Sequence, residues 1–180
     1  MKLELKNIKH TSWASEETHC YQASLYVDGK PVAIVSNDGH GGADRDYPHG
    51  QFRPHLKDFT DVGGDYPSVM RKVHEYFDGL PPSPFSYEGA DGVMIHDSLP
   101  QTLEFWCCDQ VNDWLSAREL KKKLKSHVLF QIKYKDGIYQ SKYHPTVTNG
   151  EWVINKQSGE TRRILNDMPF DEALAIWKAT

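Results

Sequence analysis

The chain predicts an α+β fold in which antiparallel β-hairpins pack with three to four helices. Two turns, Asp28-Gly29 and Lys135-Asp136-Gly137, each separate a pair of strand-like runs. Apolar groups recur at helical spacing over 69–77 and 103–114. Strands and helices arrive in blocks, ββ(β)–loop–α–loop–αα–ββββ–α, which is the order of antiparallel sheets with helices added. One domain, 1–180, accommodates all of this, with possible lobes at 1–98 and 99–180.

Leu3, Leu5 and Ile8 begin an alternating strand. Thr18 to Val27 continues the pattern, with Tyr21, Ala23, Leu25 and Val27 as its apolar side. Asp28-Gly29 supplies positive φ angles for a tight turn into Pro31-Val32-Ala33-Ile34-Val35, the strongest hairpin signal in the N-terminal third. From Asp38 to Asp65 the chain is polar and glycine-rich, broken by Pro48 and Pro54, and reads as a long loop with short extended pieces. Helix spacing then puts Val69, Met70, Val73, Tyr76 and Phe77 on one core face, with Pro67 in the first turn and Gly79, Pro81, Pro82 and Pro84 as stops.

Gly89 to Asp97 reads as a turn and a short strand. A second helix spans about Pro100 to Leu115 and turns Leu103, Trp106, Cys107, Val111 and Trp114 inward. Ser116-Ala117-Arg118-Glu119 is a capping-box pattern, with Leu115 and Leu120 spaced as a hydrophobic staple, so a kink or short break is expected at Ser116. Lys121, Lys122, Lys123 and Lys125 then favour the negative end of the helix dipole. Val128–Tyr134 and Ile138–Tyr143 form the second hairpin. Asn149-Gly150 and Ser158-Gly159 mark further turns, around Glu151–Ile154 and Thr161–Leu165. Pro169 opens a last helix that faces Phe170, Ala173, Leu174 and Trp177 inward.

Although only 38% of the 180 residues are apolar, five Trp, nine Tyr and seven Phe raise the area each can bury. The start alternates charge with leucine, and no apolar run reaches spanning length, so a cytoplasmic protein without a membrane segment is the simplest expectation. Cys20, Cys107 and Cys108 form no C-x-x-C pair and are expected to be reduced. The net charge of −4 divides unevenly: residues 1–98 carry 9 basic and 15 acidic groups, 99–180 carry 12 and 10. Such a balance argues against a general nucleic-acid binder.

The most informative stretch is Asn37-Asp38-Gly39-His40-Gly41-Gly42-Ala43-Asp44-Arg45-Asp46. It follows a strand but leads into no helix, so it is neither a dinucleotide fingerprint nor a P-loop. Three chemistries compete for it. Successive amides of Gly39-His40-Gly41-Gly42 would form a nest for a small anionic ligand, aided by His40 and Arg45 and opposed by Asp38, Asp44 and Asp46. His40, Asp44, Asp46 and His49, with His55, would ligate a divalent metal for phosphoester hydrolysis if they converged, though their spacing matches no fixed-spacing metal motif. A turn at Asn37-Asp38-Gly39, with Gly41-Gly42 letting the backbone pass close beneath another element, is the plain alternative.

Elsewhere the signals are weaker. No nucleophile elbow accompanies the Cys, Ser and His residues, and Cys20 beside His19 reads as a core thiol. Asp91 and Asp97 flank His96 as would-be acid catalysts, although a turn followed by a short strand is the favoured reading. The basic run 121–125 with Arg118 would contact phosphates, and Trp106, Trp114 and Tyr134 would stack on bases only if they left the core face. A charged, solvent-facing helix end is the favoured reading there.

Four segments carry a resemblance: Met1–Lys9, Ser15-Glu16-Glu17-Thr18, Leu25–Lys30 and Asn37–Gly42. Together with Lys121–Tyr134 they resemble a group of small uncharacterised proteins carried by phages and plasmids, over a third to half of the chain. That group has no assigned chemistry, so the resemblance implies context and no site residue. Accessory proteins of mobile elements often bind and inhibit host factors, including defence factors. The resulting expectation is a non-enzymatic binding protein that needs no cofactor, acts on a host protein or a small ligand, and uses residues 37–49 as its functional loop. Asn37, Asp38, Gly39, His40, Gly41, Gly42, Asp44 and Arg45 are the expected contact residues. A metal-dependent hydrolase and a nucleic-acid-binding module are the alternatives.

Overall fold

The computed structural model describes residues 1–50, 66–90, 92–132, 135–142, 146–148, 151–153 and 161–180. Its antiparallel sheets and three α-helices make an α+β fold. Backbone contacts divide it into two compact units, Met1–Val111 and Asn112–Thr180. No helix among the described residues is long and apolar enough to cross a membrane.

In the first unit, β1 (Leu3–His10), β2 (Tyr21–Val27), β3 (Lys30–Asn37) and β4 (Arg45–Pro48) form an antiparallel meander in that order. The Asp28-Gly29 turn is as expected: Val27 pairs with Lys30, and both turn residues have positive φ, 48° and 82°. Asp28 does more than turn the chain. Its backbone N–H donates to the Lys2 carbonyl at 2.8 Å, while its Oδ1 accepts from the Lys2 N–H at 2.7 Å, which fastens the start of β1 to the hairpin. Tyr21, Ala23, Leu25 and Val27 are buried, as their alternation predicts.

Inside the stretch read as a loop, 45–48 adds a strand to β3, with Ser36 opposite Arg45 and Ala33 opposite Pro48. Pro48 sits at the end of an edge strand, where a missing donor costs little. Residues 51–65, including His55, lie outside the described residues.

Helix α1 (Tyr66–Asp78) buries Val69, Met70, Val73 and Phe77. Tyr76, expected in the core, is instead 38% exposed, with its ring edge-on to Phe77 at 5.4 Å between centroids. Strands β5 (Ser83–Glu88) and β6 (Met94–Leu99) then form a two-stranded hairpin. Prolines 81, 82 and 84 conceal β5 in the sequence, but Pro84 lies on an edge strand where it blocks nothing.

Helix α2 runs unbroken from Leu103 to Ser126, and the unit boundary falls inside it. The expected break at Ser116 does not occur. A capping box acts only where the chain before it leaves helical geometry, and opening a helix here would strand up to four amides and four carbonyls at the new ends. Ala117, Arg118, Glu119 and Leu120 are all strong helix formers, so continuity wins. The actual start is capped by Thr102, whose Oγ1 accepts the Phe105 N–H at 3.1 Å. Leu103, Cys107, Val111 and Leu120 are buried, and Trp106 and Trp114 are half-buried.

In the second unit, β7 (Val128–Ile132) lies between β11 (Thr161–Ile164) and β8 (Tyr139–Ser141). Val128, Phe130, Ile132 and Ile164 pack on one side. Leu129, on the other side, joins Leu120, Leu165 and Ala173, against which α3 (Phe170–Lys178) lays Phe170, Leu174 and Trp177 as expected. Asn166 holds this unit together through its side chain. Its Oδ1 accepts from Leu129 N–H at 2.8 Å, and its Nδ2 donates to the Leu124 and His127 carbonyls at 3.1 and 3.0 Å, closing the end of α2. Strands β9 (Thr146–Thr148) and β10 (Glu151–Val153) pair with each other, while the expected turns at Asn149-Gly150 and Ser158-Gly159 lie outside the described residues.

Candidate functional site

The glycine-rich segment is the connection between β3 and β4, and one side chain organises it. Asn37, at the end of β3, is only 8% exposed. Its Oδ1 accepts the Thr18 hydroxyl at 2.7 Å and the Gly39 N–H at 2.9 Å. Its Nδ2 donates to the Gly42 carbonyl and to Asp44 Oδ1, both at 3.0 Å. Both sides of the amide are therefore used, as a buried asparagine requires. Such a network specifies one loop shape, since moving any member leaves a buried polar group unpaired.

Gly39 is the second fixed point. Its carbonyl accepts the N–H groups of Glu16, Glu17 and Thr18 at 2.9, 2.9 and 3.3 Å. Its φ is +90°, and a Cβ there would run into the Ala14 carbonyl and lie 2.9 Å from Cys20 Cβ. The loop thus sits directly on the β1–β2 connection, Thr11–Cys20, which has its own brace. Ser15 Oγ donates to the Thr11 carbonyl at 3.0 Å and accepts the Cys20 N–H at 2.9 Å. The close passage expected at Gly41-Gly42 falls instead on Gly39, against backbone, and on Gly41, against the Glu17 side chain, while a Cβ at Gly42 would meet nothing within 4 Å.

Half-buried Asp44 of the loop forms a polar trio with the buried Tyr21 and Cys107. The Tyr21 hydroxyl donates to Asp44 Oδ2, and Cys107 of α2 lies beside the same phenol. Burial, then the Cys107 and Asp44 neighbours, push the Tyr21 phenol far above its ordinary value. Burial, with Asp44 next, pushes the Cys107 thiol up to about 12. Both groups stay protonated, so neither is a nucleophile at neutral pH. Tyr66 donates to Asp46 Oδ2 from the first residue of α1, and burial followed by that hydrogen bond raises its phenol too.

The exposed rim consists of Asp38, His40 and Arg45, with Glu16 from the neighbouring connection. Arg45 Nη2 donates to Asp38 Oδ2 at 3.1 Å, and His40 Nδ1 lies 3.2 Å from Glu16 Oε2. These are solvent-facing pairs with little effect on stability. The expected anion nest is partly occupied from within: the Gly39 amide serves Asn37, and the His40 amide lies 3.5 Å from Asp38 Oδ1.

His40, Asp44, Asp46 and His49 do not come together. Asp44 serves Tyr21 and Asn37, Asp46 serves Tyr66, and His40 faces Glu16. Among the described residues, no three His, Cys, Asp or Glu side chains converge as metal ligands. Of the weaker candidates, His96 Nδ1 meets Ser86 Oγ across β5 and β6 at 2.6 Å, and Asp97 Oδ1 accepts the Ser98 N–H. Asp91 lies outside the described residues.

Sequence reasoning missed Trp13. It lies in a 3-10 turn, Ser12–Ala14, and is 87% exposed. The next residue, Ala14, abuts Gly39, and Glu16 faces His40. An isolated tryptophan in a polar run gives no periodic signal. Only the turn that ties 11–20 to the glycine-rich loop brings it to this surface.

A scan against protein-family models finds no match, and searches of curated proteins and of solved structures find none either.

Proposed function

We propose that this chain is a non-catalytic binding protein that modulates a partner protein through the surface formed by Trp13, Glu16 and the 38–45 loop. The observation that carries this reading is a nearly fully exposed tryptophan beside a loop whose shape is fixed from within. Leaving an indole in water forgoes the burial of some 150–250 Å² of largely apolar surface. Tryptophan, tyrosine and arginine are also the residues that most often dominate interface energetics. Trp13, Tyr47 and Arg45 are all exposed here. A prefixed loop loses little further entropy on docking, which favours recognition by contact. The resemblance of the N-terminal segments to accessory proteins of mobile elements makes a host protein, including a defence factor, the partner class.

Capture from host-cell lysate with the wild-type chain and with Trp13→Ala as paired baits tests the reading. A partner is expected on the first bait, with affinity reduced about 30-fold on the second, the loss of roughly 2 kcal/mol typical of an interface anchor. Thermal unfolding should be the same for both, because the side chain is exposed. Equal retention of every protein by the two baits, or turnover of a phosphoester substrate by the pure chain, would overturn it.

A further inference from the structure

A second surface with its own chemistry lies in the Asn112–Thr180 unit. Trp114, Ala117, Arg118, Lys121, Lys122 and Lys125 line an open recess of about 420 Å³ along α2. Their spacing places them on one stripe of the helix. From Arg118 to Lys125 the stripe runs about 10 Å, with a cation at each turn. The Arg118 guanidinium lies 5.3 Å from the Trp114 ring centre, and the Lys121 ammonium 4.8 Å from that of Phe170. Ring contacts position these cations without neutralising them.

Nearby carboxylates are engaged elsewhere. Glu119 lies 3.7 Å from Lys123, which does not line the recess, and Asp113 pairs with Lys178. Four positive charges therefore face the recess with no acidic group in its lining. Its volume lies within the usual range of ligand sites, about 300–1,000 Å³.

We propose that this recess binds the phosphate backbone of single-stranded nucleic acid. Lys121, Lys122, Lys125 and Arg118 meet successive phosphates, and the half-buried Trp114 with its stacked guanidinium offers a flat surface to one base. An acidic peptide would satisfy the same charges but has no use for that flat surface. The chain as a whole is acidic, so attraction is local to the stripe and falls steeply with salt. The stripe and the Trp13 surface share no residue and belong to different units, so the two assignments fail independently.

Anisotropy of a short labelled oligothymidylate, titrated with the full chain over a range of salt, tests this. Lys121→Gln/Lys122→Gln/Lys125→Gln is expected to weaken binding at least about tenfold and to flatten the log–log salt slope by about 2, from roughly 0.7 per lost contact. Lys2→Gln/Lys6→Gln/Lys9→Gln, which removes the same charge from β1 and its start, should leave affinity within about twofold, and Trp13→Ala should leave it unchanged. Thermal unfolding checks the recess triple, and Lys122→Gln alone, at an exposed position, should still lower affinity. Absent or salt-independent binding, equal losses in the two triples, or a polyglutamate peptide competing as well as the oligonucleotide would overturn the assignment. The last result would make the recess a site for acidic protein segments.

Discussion

Two hairpins of the first unit, β3–β4 and β5–β6, share antiparallel pairing and glycine-containing connections, yet they are held in opposite ways. The β3–β4 loop is closed by a buried asparagine and by a glycine carbonyl that accepts three amides from another segment. The β5–β6 pair is held by its own ladder. Phe85, Tyr87 and Ile95 share one of its faces with Leu99, yet Tyr87, Ile95 and Leu99 are exposed, as are Val93 and Met94 nearer the turn. An isolated two-stranded pair is marginal in water, so the side-chain and backbone ties from the β3–β4 turn to a distant segment are expected to make it the firmer hairpin.

The sharpest way to break this contrast is Gly39→Ala. The new methyl meets backbone, which cannot swing aside, at a φ that alanine rarely adopts. A destabilisation of about 4 kcal/mol or more is expected in urea unfolding, and a loss under about 1 kcal/mol would show that the loop shifts freely. Asn37→Ala follows in size. It strands the Gly39 amide and the Thr18 hydroxyl, for an expected loss of about 2–3 kcal/mol. Trp13→Ala should leave stability unaltered beside these two, which separates the frame of the site from its contact surface. The smallest effect is expected from Ile95→Ser on the exposed hairpin face, within about 0.5 kcal/mol. Hydrogen exchange sharpens the same comparison, because the amides of Met94–Leu99 should exchange far faster than those of Val32–Asn37.

Local chemistry was readable in the sequence wherever it acts locally. Asp28-Gly29 dictates its turn by φ alone, and the spacing of Ala173, Leu174 and Trp177 marks the inner face of α3 without outside help. Reading failed where the deciding partner is distant. Ser116 and Glu119 satisfy a capping rule, but the continuous helix outweighs it. Asn166 carries no local signal for its role, because its amide acts on carbonyls 39 and 42 positions away. In the glycine-rich loop the sequence showed which groups crowd together but not which are buried and which are exposed. Asn37 and Gly39, expected at the contact surface, are buried structural members. The exposed groups are Asp38, His40 and Arg45, joined by a tryptophan from another connection.

The adjacent cysteines of α2 differ in burial, Cys107 being enclosed and Cys108 half-buried. Burial pushes the Cys107 thiol well above its ordinary value, so peroxide finds little thiolate there. Cys108 borders a small recess of about 150 Å³ with Asn37 and Asp44. A fluorophore attached at Cys108 would report on the glycine-rich loop from beside it, while its buried neighbour Cys107 stays unmodified.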